Sequence, residues 1–131
     1  MEKRGGGMAE AIAKASPARL RLAQNIVGWI LCVLMAAMFV MAGLGKLSSR
    51  PGMVMEFEEI GLGQWFRYFT GALEMAGAAG VLIPRFSRMA ALGLAVIMVG
   101  AIVAHLTVLP GPPTLPAVLL VLLLIVAWIR R

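Results

Sequence analysis

Four polar residues are set into or beside long apolar segments of the chain, and their types and spacing are the ones that allow chemistry: Lys46, Arg67, Glu74 and His105. Glu74 is the strongest clue, because an ionised side chain near the middle of a membrane span costs about 2.5–3.5 kcal/mol on insertion scales. Arg67 and Glu74 are spaced i, i+7, so a helix carries them on one stripe. We therefore expect a buried polar cluster around Glu74.

This cluster has two interpretations. In the structural one, Glu74 pairs with Arg67 or Lys46 to fix helix packing, and His105 caps the network. In the functional one, the cluster binds the polar head of a lipophilic ligand such as a quinone, or relays a proton through Glu74 and His105. The residue pattern leaves both interpretations open.

The sequence lacks the motifs of self-contained catalysts, namely a P-loop, a GxSxG elbow, an HExxH helix or clustered carboxylates for a divalent metal. Cys32 is the only cysteine, which excludes an intrachain disulfide and a cysteine-based zinc site. His105 is the only histidine, so one chain cannot supply two axial imidazoles to haem. We expect no bound metal, and an accessory protein rather than an independent enzyme.

The composition is that of a membrane protein. Of the 131 residues, 61% are hydrophobic and 14% are charged, against about 45–50% apolar and 25% charged residues in soluble domains. The formal charge of +6 arises from basic residues that flank apolar segments, which suits anionic lipid headgroups. Because no stripe of basic and aromatic residues runs through a structured segment, we exclude nucleic acid as a partner.

The apolar segments predict an all-α fold, a bundle of four transmembrane helices. Residues 89–129 carry no charge, and Pro110-Gly111-Pro112-Pro113 divides them into two spans. A flexible tail at 1–21 precedes the transmembrane domain at 22–131, and Ser16-Pro17 is a helix-start signal. The first apolar segment is too long for the core of a signal peptide. The four spans are expected at about 22–45, 64–84, 89–109 and 114–129.

The basic residues orient this bundle. Nine of the 12 lysines and arginines lie on the side of the two termini, and three lie on the other side. By the positive-inside rule both termini are cytoplasmic, in what we expect to be a bacterial inner membrane. The three on the outer side are Lys46, Arg50 and Arg67.

The outer loop at 46–63 is long enough to hold structure of its own. Its apolar residues share one helical face, and Gly61 follows them as a stop signal. We therefore expect a short helix that lies along the outer membrane surface. The apolar face consists of Met53, Val54, Phe57 and Ile60. The acidic residues form either a solvated face, which we favour, or a patch that docks a partner: Glu56, Glu58 and Glu59.

Small residues indicate where the spans pack closely, since they let transmembrane backbones approach one another. Most of them lie on the second span, which we therefore place at the centre of the bundle. The helix-packing candidates are Gly43, Gly71, Gly77 and Ala78.

Several short motifs between positions 26 and 127 resemble those of the DoxX and DoxX-like membrane proteins. They are Ala42-Gly43-Leu44-Gly45-Lys46-Leu47 at the end of the first span, Gly61-Leu62 before the second, Thr70-Gly71-Ala72-Leu73-Glu74 within it, Pro84-Arg85 at its end, and His105 late in the third. Gly63 stands where many relatives carry proline after the Gly-Leu pair.

The resemblance implies a four-helix integral membrane protein. Some members of the family are small subunits of quinone-linked oxidoreductases, and distant relatives are receptor chaperones or cargo receptors. By this resemblance Lys46, Glu74 and His105 fall on recurrent polar positions, whereas Arg67 is added from helix spacing alone. A quinone is the one cofactor class that the resemblance suggests.

We therefore expect an accessory, non-catalytic subunit of a membrane complex, with a quinone-linked redox complex as the leading case. The first alternative is a membrane chaperone or assembly factor whose outer loop docks a client. The second is a small proton-coupled exporter that uses Glu74. The expected partners are membrane lipids, together with other membrane proteins or a second copy of this chain.

Overall fold

The computed structural model describes residues 16–131 and, ahead of them, Gly7. Residues 16–131 form an all-α structure, as the sequence predicts. Apart from Gly7, positions 1–15 of the expected tail lie outside the described residues. The helices are α1 (Pro17–Leu47), α2 (Pro51–Ile60), α3 (Gln64–Val81), α4 (Ser87–Thr107) and α5 (Thr114–Ile129).

The first helix, α1, begins where its sequence signal predicts. Ser16 is the N-cap: its hydroxyl accepts a hydrogen bond from the Arg19 backbone N–H at 3.2 Å, and Pro17 is the first helical residue. The helix therefore already includes residues 17–21, which the sequence assigned to the tail. Its 31 residues extend about 46 Å, more than the ~30 Å hydrocarbon layer of a bilayer.

The short helix predicted in the outer loop is α2. Phe57 is buried, while Met53, Val54 and Ile60 are half-buried, so the predicted apolar face is the face that packs. Gly61 ends the helix with φ of +82°, a left-handed conformation that glycine adopts without a steric penalty. The helix and its stop signal are both confirmed.

The four longer helices pack in a ring. Helix α3 lies between α1 and α4, and α5 completes the ring between α4 and α1. Helix α2 packs mainly against α3 and also contacts α1, so α1 and α3 each contact three other helices. The central place that the small residues predict for α3 is therefore shared with α1. Apolar side chains that are almost fully buried form the core: Met35, Phe39, Leu94, Leu123 and Val126.

The outward faces of the bundle are apolar as well. Val96 on α4 is 71% exposed, and Met41 on α1 is 65% exposed. Soluble monomers rarely expose a contiguous apolar patch larger than a few hundred Å². Within the described residues, α1 and α4 are long and apolar enough to cross a membrane, and α5 is an apolar helix of 16 residues.

Candidate functional site

The centre of the site is an ion pair between two helices. Lys46 lies in the last turn of α1, and Glu74 lies in the middle of α3. Lys46 Nζ is 2.8 Å from Glu74 Oε1, and the two side chains are 11% and 2% exposed. Apart from this ammonium, Glu74 Oε1 has no hydrogen-bond partner among the described residues. The structure thus gives Glu74 the buried basic partner that its position requires.

Two glycines bring these helices close enough for the pair to form. A Cβ atom added to Gly43 on α1 would lie 3.0 Å from the Gly71 carbonyl oxygen on α3. A Cβ atom added to Gly71 would lie 3.0 Å from Lys46 Cβ and 3.2 Å from the Gly43 carbonyl oxygen. Because backbone faces backbone here, even one methyl group separates the helices.

The other two helix-packing candidates hold α3 within the ring. Gly77 packs against α4, where an added Cβ atom would lie 2.5 Å from Leu94 Cδ2. Ala78 is 1% exposed and belongs to the apolar core. The small residues of α3 therefore serve two contacts, one on the side of α1 and one on the side of α4.

Arg67 is buried, but it binds neutral groups instead of Glu74. Its Nη1 donates to the Lys46 carbonyl oxygen, and its Nε donates to Gln64 Oε1 at 2.7 Å. The guanidinium carbon lies 4.2 Å from the centroid of the Tyr68 ring. Helical side chains lean toward the N-terminus of their helix, so Arg67 extends toward Gln64 and away from Glu74. Of the two partners that the sequence allowed for Glu74, the structure selects Lys46.

A cavity of about 530 Å³ opens beside the ion pair, between α2, α3 and α4. Lys46 and Glu74 form its polar wall on one side, and His105 belongs to the opposite wall on α4. Most of the remaining lining is apolar. Arg67 does not line the cavity. Three of the four predicted polar residues therefore line one cavity. Arg67 lies outside the lining and donates a hydrogen bond to the carbonyl oxygen of Lys46, which is part of the lining.

His105 lines the cavity, and one of its imidazole nitrogens has no hydrogen-bond partner among the described residues. That nitrogen is Nδ1, and it is buried. The expectation that His105 caps the polar network is therefore not met through this nitrogen. A buried polar atom without a partner costs about 1–3 kcal/mol, and the described residues leave that cost uncompensated at Nδ1.

The polar residues of this site lie within a recognised sequence family. The model of the DoxX-like family matches residues 30–128 of the 131-residue chain. The chain belongs to the DoxX-like family. This match confirms the resemblance found in the sequence, and it makes the chain a membrane protein. Comparisons with curated proteins and with solved structures gave no match.

The sequence analysis missed one residue that lines the cavity. Glu56 on α2 is half-buried and lines the cavity, whereas Glu58 and Glu59 are exposed, as expected for a solvated face. The signal was present in the sequence: Met53, Glu56, Phe57 and Ile60 follow i, i+3, i+4, i+7, which is one face of a helix. The sequence analysis assigned Val54 to that face in place of Glu56. It therefore grouped Glu56 with the solvated acidic residues.

Helix α2 is connected to α3 by a hydrogen-bond network that includes Arg67. Gln64 Nε2 donates to the Val54 carbonyl oxygen at 3.1 Å, and Gln64 Oε1 accepts from Arg67. The rings of Phe57 and Phe66 add a contact, with centroids 5.9 Å apart. Hydrogen bonds thus connect α2 through α3 to the end of α1, beside the cavity.

Arg67→Lys is expected to destabilise the protein by about 1–3 kcal/mol, the cost of leaving a buried acceptor unsatisfied. An ammonium cannot reach the Lys46 carbonyl and Gln64 Oε1 in the fork geometry that guanidinium provides. Equilibrium unfolding in mixed detergent and SDS micelles, followed by circular dichroism, measures this loss. Arg85→Lys is the matched control because Arg85 is exposed, and its change should stay within about 0.5 kcal/mol. Equal stability of the two variants contradicts the bridging role.

Proposed function

We propose that α1, α3, α4 and α5 all cross a bacterial inner membrane as one transmembrane domain, with both termini in the cytoplasm. The charge distribution supports this topology, since nine of the 12 basic residues lie on the terminal side. Helix α3 supports it too: Arg67 and Glu74 are 3% and 2% exposed, so its outward face is largely apolar. At the end of α5 the Arg131 guanidinium lies 4.9 Å from the Trp128 ring centroid, which suits anchoring at headgroups.

In this membrane the protein acts as a non-catalytic accessory subunit, and its cavity binds the polar head of a lipophilic molecule, with a quinone as the leading class. The observation that carries this proposal is the cavity itself. Its walls are mostly apolar, yet Lys46, Glu74 and His105 are among the residues that line it. A largely apolar cavity of about 530 Å³ with a few polar groups is typical of small-molecule sites.

The ion pair argues against a proton-coupled exporter that uses Glu74. Such a transporter needs a carboxylate that is available to substrate or proton in turn. Here Lys46 Nζ lies 2.8 Å from Glu74 Oε1, so the carboxylate already has a basic partner within the bundle. Glu74 is therefore better suited to fixing the cavity wall than to carrying protons through it.

The proposal is tested by purifying the full chain in mild detergent, extracting the lipids that accompany it, and titrating the delipidated protein with decylubiquinone. We expect a quinone in the extract and saturable decylubiquinone binding. His105→Leu removes the imidazole at similar size and should weaken binding about tenfold, equivalent to about 1.4 kcal/mol.

The matched control is Leu106→Ile, because Leu106 is the next residue on α4 and is 68% exposed on the outward face. It should bind decylubiquinone as the unmodified chain does. The absence of saturable binding, or equal binding by His105→Leu and the control, overturns the proposed ligand. A purified client protein with no quinone in the extract points instead to a chaperone.

A further inference from the structure

The cavity is open along one side, toward the outward face of the bundle. Several of its apolar lining residues are also exposed: Phe69 and Leu73 on α3 are 51% and 42% exposed, Val103 on α4 is 54% exposed, and Leu62 and Val108, next to the outer ends of these helices, are 57% and 52% exposed. A residue that lines a cavity and is also exposed lies at its opening. The opening therefore begins at the outer ends of α3 and α4, beside Leu62 and Val108, and continues between the two helices as a slit bordered by apolar side chains.

The slit extends downward from the outer end of the bundle. Leu73 is nine residues into α3, which begins at Gln64, so it lies about 13 Å from the start of that helix. Val103 is four residues before Thr107, the end of α4, about 6 Å along the axis. In the proposed topology these depths belong to the acyl chains of the outer leaflet, so the slit faces lipid.

Small residues of α4 keep this slit open. Gly100 lines the cavity, and a Cβ atom added there meets nothing within 4 Å. Ala101 and Ala104 are also part of the lining. Because these residues carry no side chain or only a methyl group, there is room beside Val103 for an apolar chain to enter from the side.

The polar end of the cavity favours a head group without net charge. Lys46 and Glu74 already neutralise each other, so a further buried charge there has no counter-charge. An anionic head also meets the second carboxylate, Glu56, on the α2 side. An ammonium has three N–H donors, and an imidazole ring nitrogen donates or accepts, so Lys46 and His105 both offer hydrogen-bonding atoms at this end. A carbonyl or hydroxyl group satisfies these atoms and adds no charge.

We infer that the cavity is filled sideways from the outer leaflet, through the slit between α3 and α4, by a single-chain lipophile whose neutral head hydrogen-bonds beside Lys46 and His105. This inference rests on the proposed function, which places a lipophilic ligand in the cavity. It adds the route of entry, the opening at Gly100 and the selection against charged heads.

The test uses the full chain in phosphatidylcholine nanodiscs with Trp65 as the only tryptophan, after Trp29→Phe and Trp128→Phe. The Trp65 ring lies 5.7 Å from that of Phe66 and 6.1 Å from that of Phe69, and both phenylalanines line the cavity. Decylubiquinone in the cavity therefore quenches Trp65, as a saturable component above the linear quenching by quinone free in the bilayer.

Two matched substitutions on α4 separate the slit from the rest of the lipid-facing surface. Gly100→Leu fills the opening, while Gly93→Leu places the same side chain where an added Cβ atom also meets nothing within 4 Å and where no cavity is lined. After rapid mixing with decylubiquinone, we expect the saturable quenching of Trp65 to develop about tenfold or more slowly in Gly100→Leu than in the chain with both glycines, and at an unchanged rate in Gly93→Leu. Oleate and dodecylamine, which carry charged heads, should displace the quinone poorly.

The outcomes distinguish this inference from the proposed function. If the chain with both glycines intact shows no saturable quenching, the proposed ligand itself fails. If that chain binds decylubiquinone but Gly100→Leu fills as fast as Gly93→Leu, the lateral route is overturned and the proposed function stands. If oleate or dodecylamine competes as well as unlabelled quinone does, the preference for a neutral head is overturned.

Discussion

Replacing Lys46 with methionine is expected to lower the free energy of unfolding by about 3–5 kcal/mol, the usual cost of removing one partner of a buried ion pair. The Glu74 side chain is 2% exposed, and its contact at 2.8 Å is with Lys46 Nζ. Without that ammonium the carboxylate stays buried as an uncompensated charge, or it must take up a proton to remain. SDS-driven equilibrium unfolding, followed by circular dichroism, measures the loss.

Arg88→Met is the matched control for this substitution. Arg88 is a basic residue on α4 that is exposed, so its replacement by methionine should change stability by no more than about 0.5 kcal/mol. If Lys46→Met unfolds at the same SDS fraction as the control, the ion pair contributes nothing to the fold and the account of Glu74 is wrong.

Gly71→Val is expected to destabilise the protein by about 1–3 kcal/mol, because it overpacks the contact between α1 and α3. An added Cβ atom alone already lies 3.2 Å from the Gly43 carbonyl oxygen and 3.0 Å from Lys46 Cβ. A backbone carbonyl cannot rotate away as a flexible side chain can, so the helices must separate. Their separation also pulls Lys46 away from Glu74, and the loss is measured by the same unfolding titration.

Gly93→Val provides the control for helix propensity and side-chain size. Gly93 is exposed on α4, and an added Cβ atom there meets nothing within 4 Å. We expect no loss of stability at this position. If Gly71→Val and Gly93→Val lose the same stability, the loss comes from placing valine in a helix. The close contact at Gly71 is then not its cause.

Much of the fold could be predicted because its signals are local. Ser16 and Pro17 start α1, since a cap and a fixed φ act within one turn. Gly61 ends α2 for a similarly local reason. The residues of the polar cluster were also predictable, because a charged side chain in an apolar segment is conspicuous wherever it eventually packs.

The contacts within the site were harder to predict. Helix spacing indicates which residues share a face, but it does not indicate which residue each of them contacts. Arg67 and Glu74 share a stripe, yet Arg67 extends toward Gln64 and hydrogen-bonds to the Lys46 carbonyl. Its direction follows from the lean of helical side chains, which a count of residues omits. The place of Glu56 at the cavity required the packing of α2 on α3, a tertiary contact that periodicity alone does not specify.

The central claim is that Glu74 is stable inside the bundle because Lys46 neutralises it, and a double-mutant cycle tests this claim most directly. The cycle compares Lys46→Met, Glu74→Gln and the double variant by SDS-driven unfolding of the full chain. We predict that each single change destabilises the protein and that the double variant is no less stable than the worse single one, with a coupling of about 1–3 kcal/mol. Losses that add to within about 0.5 kcal/mol contradict the claim, because independent residues behave in that way.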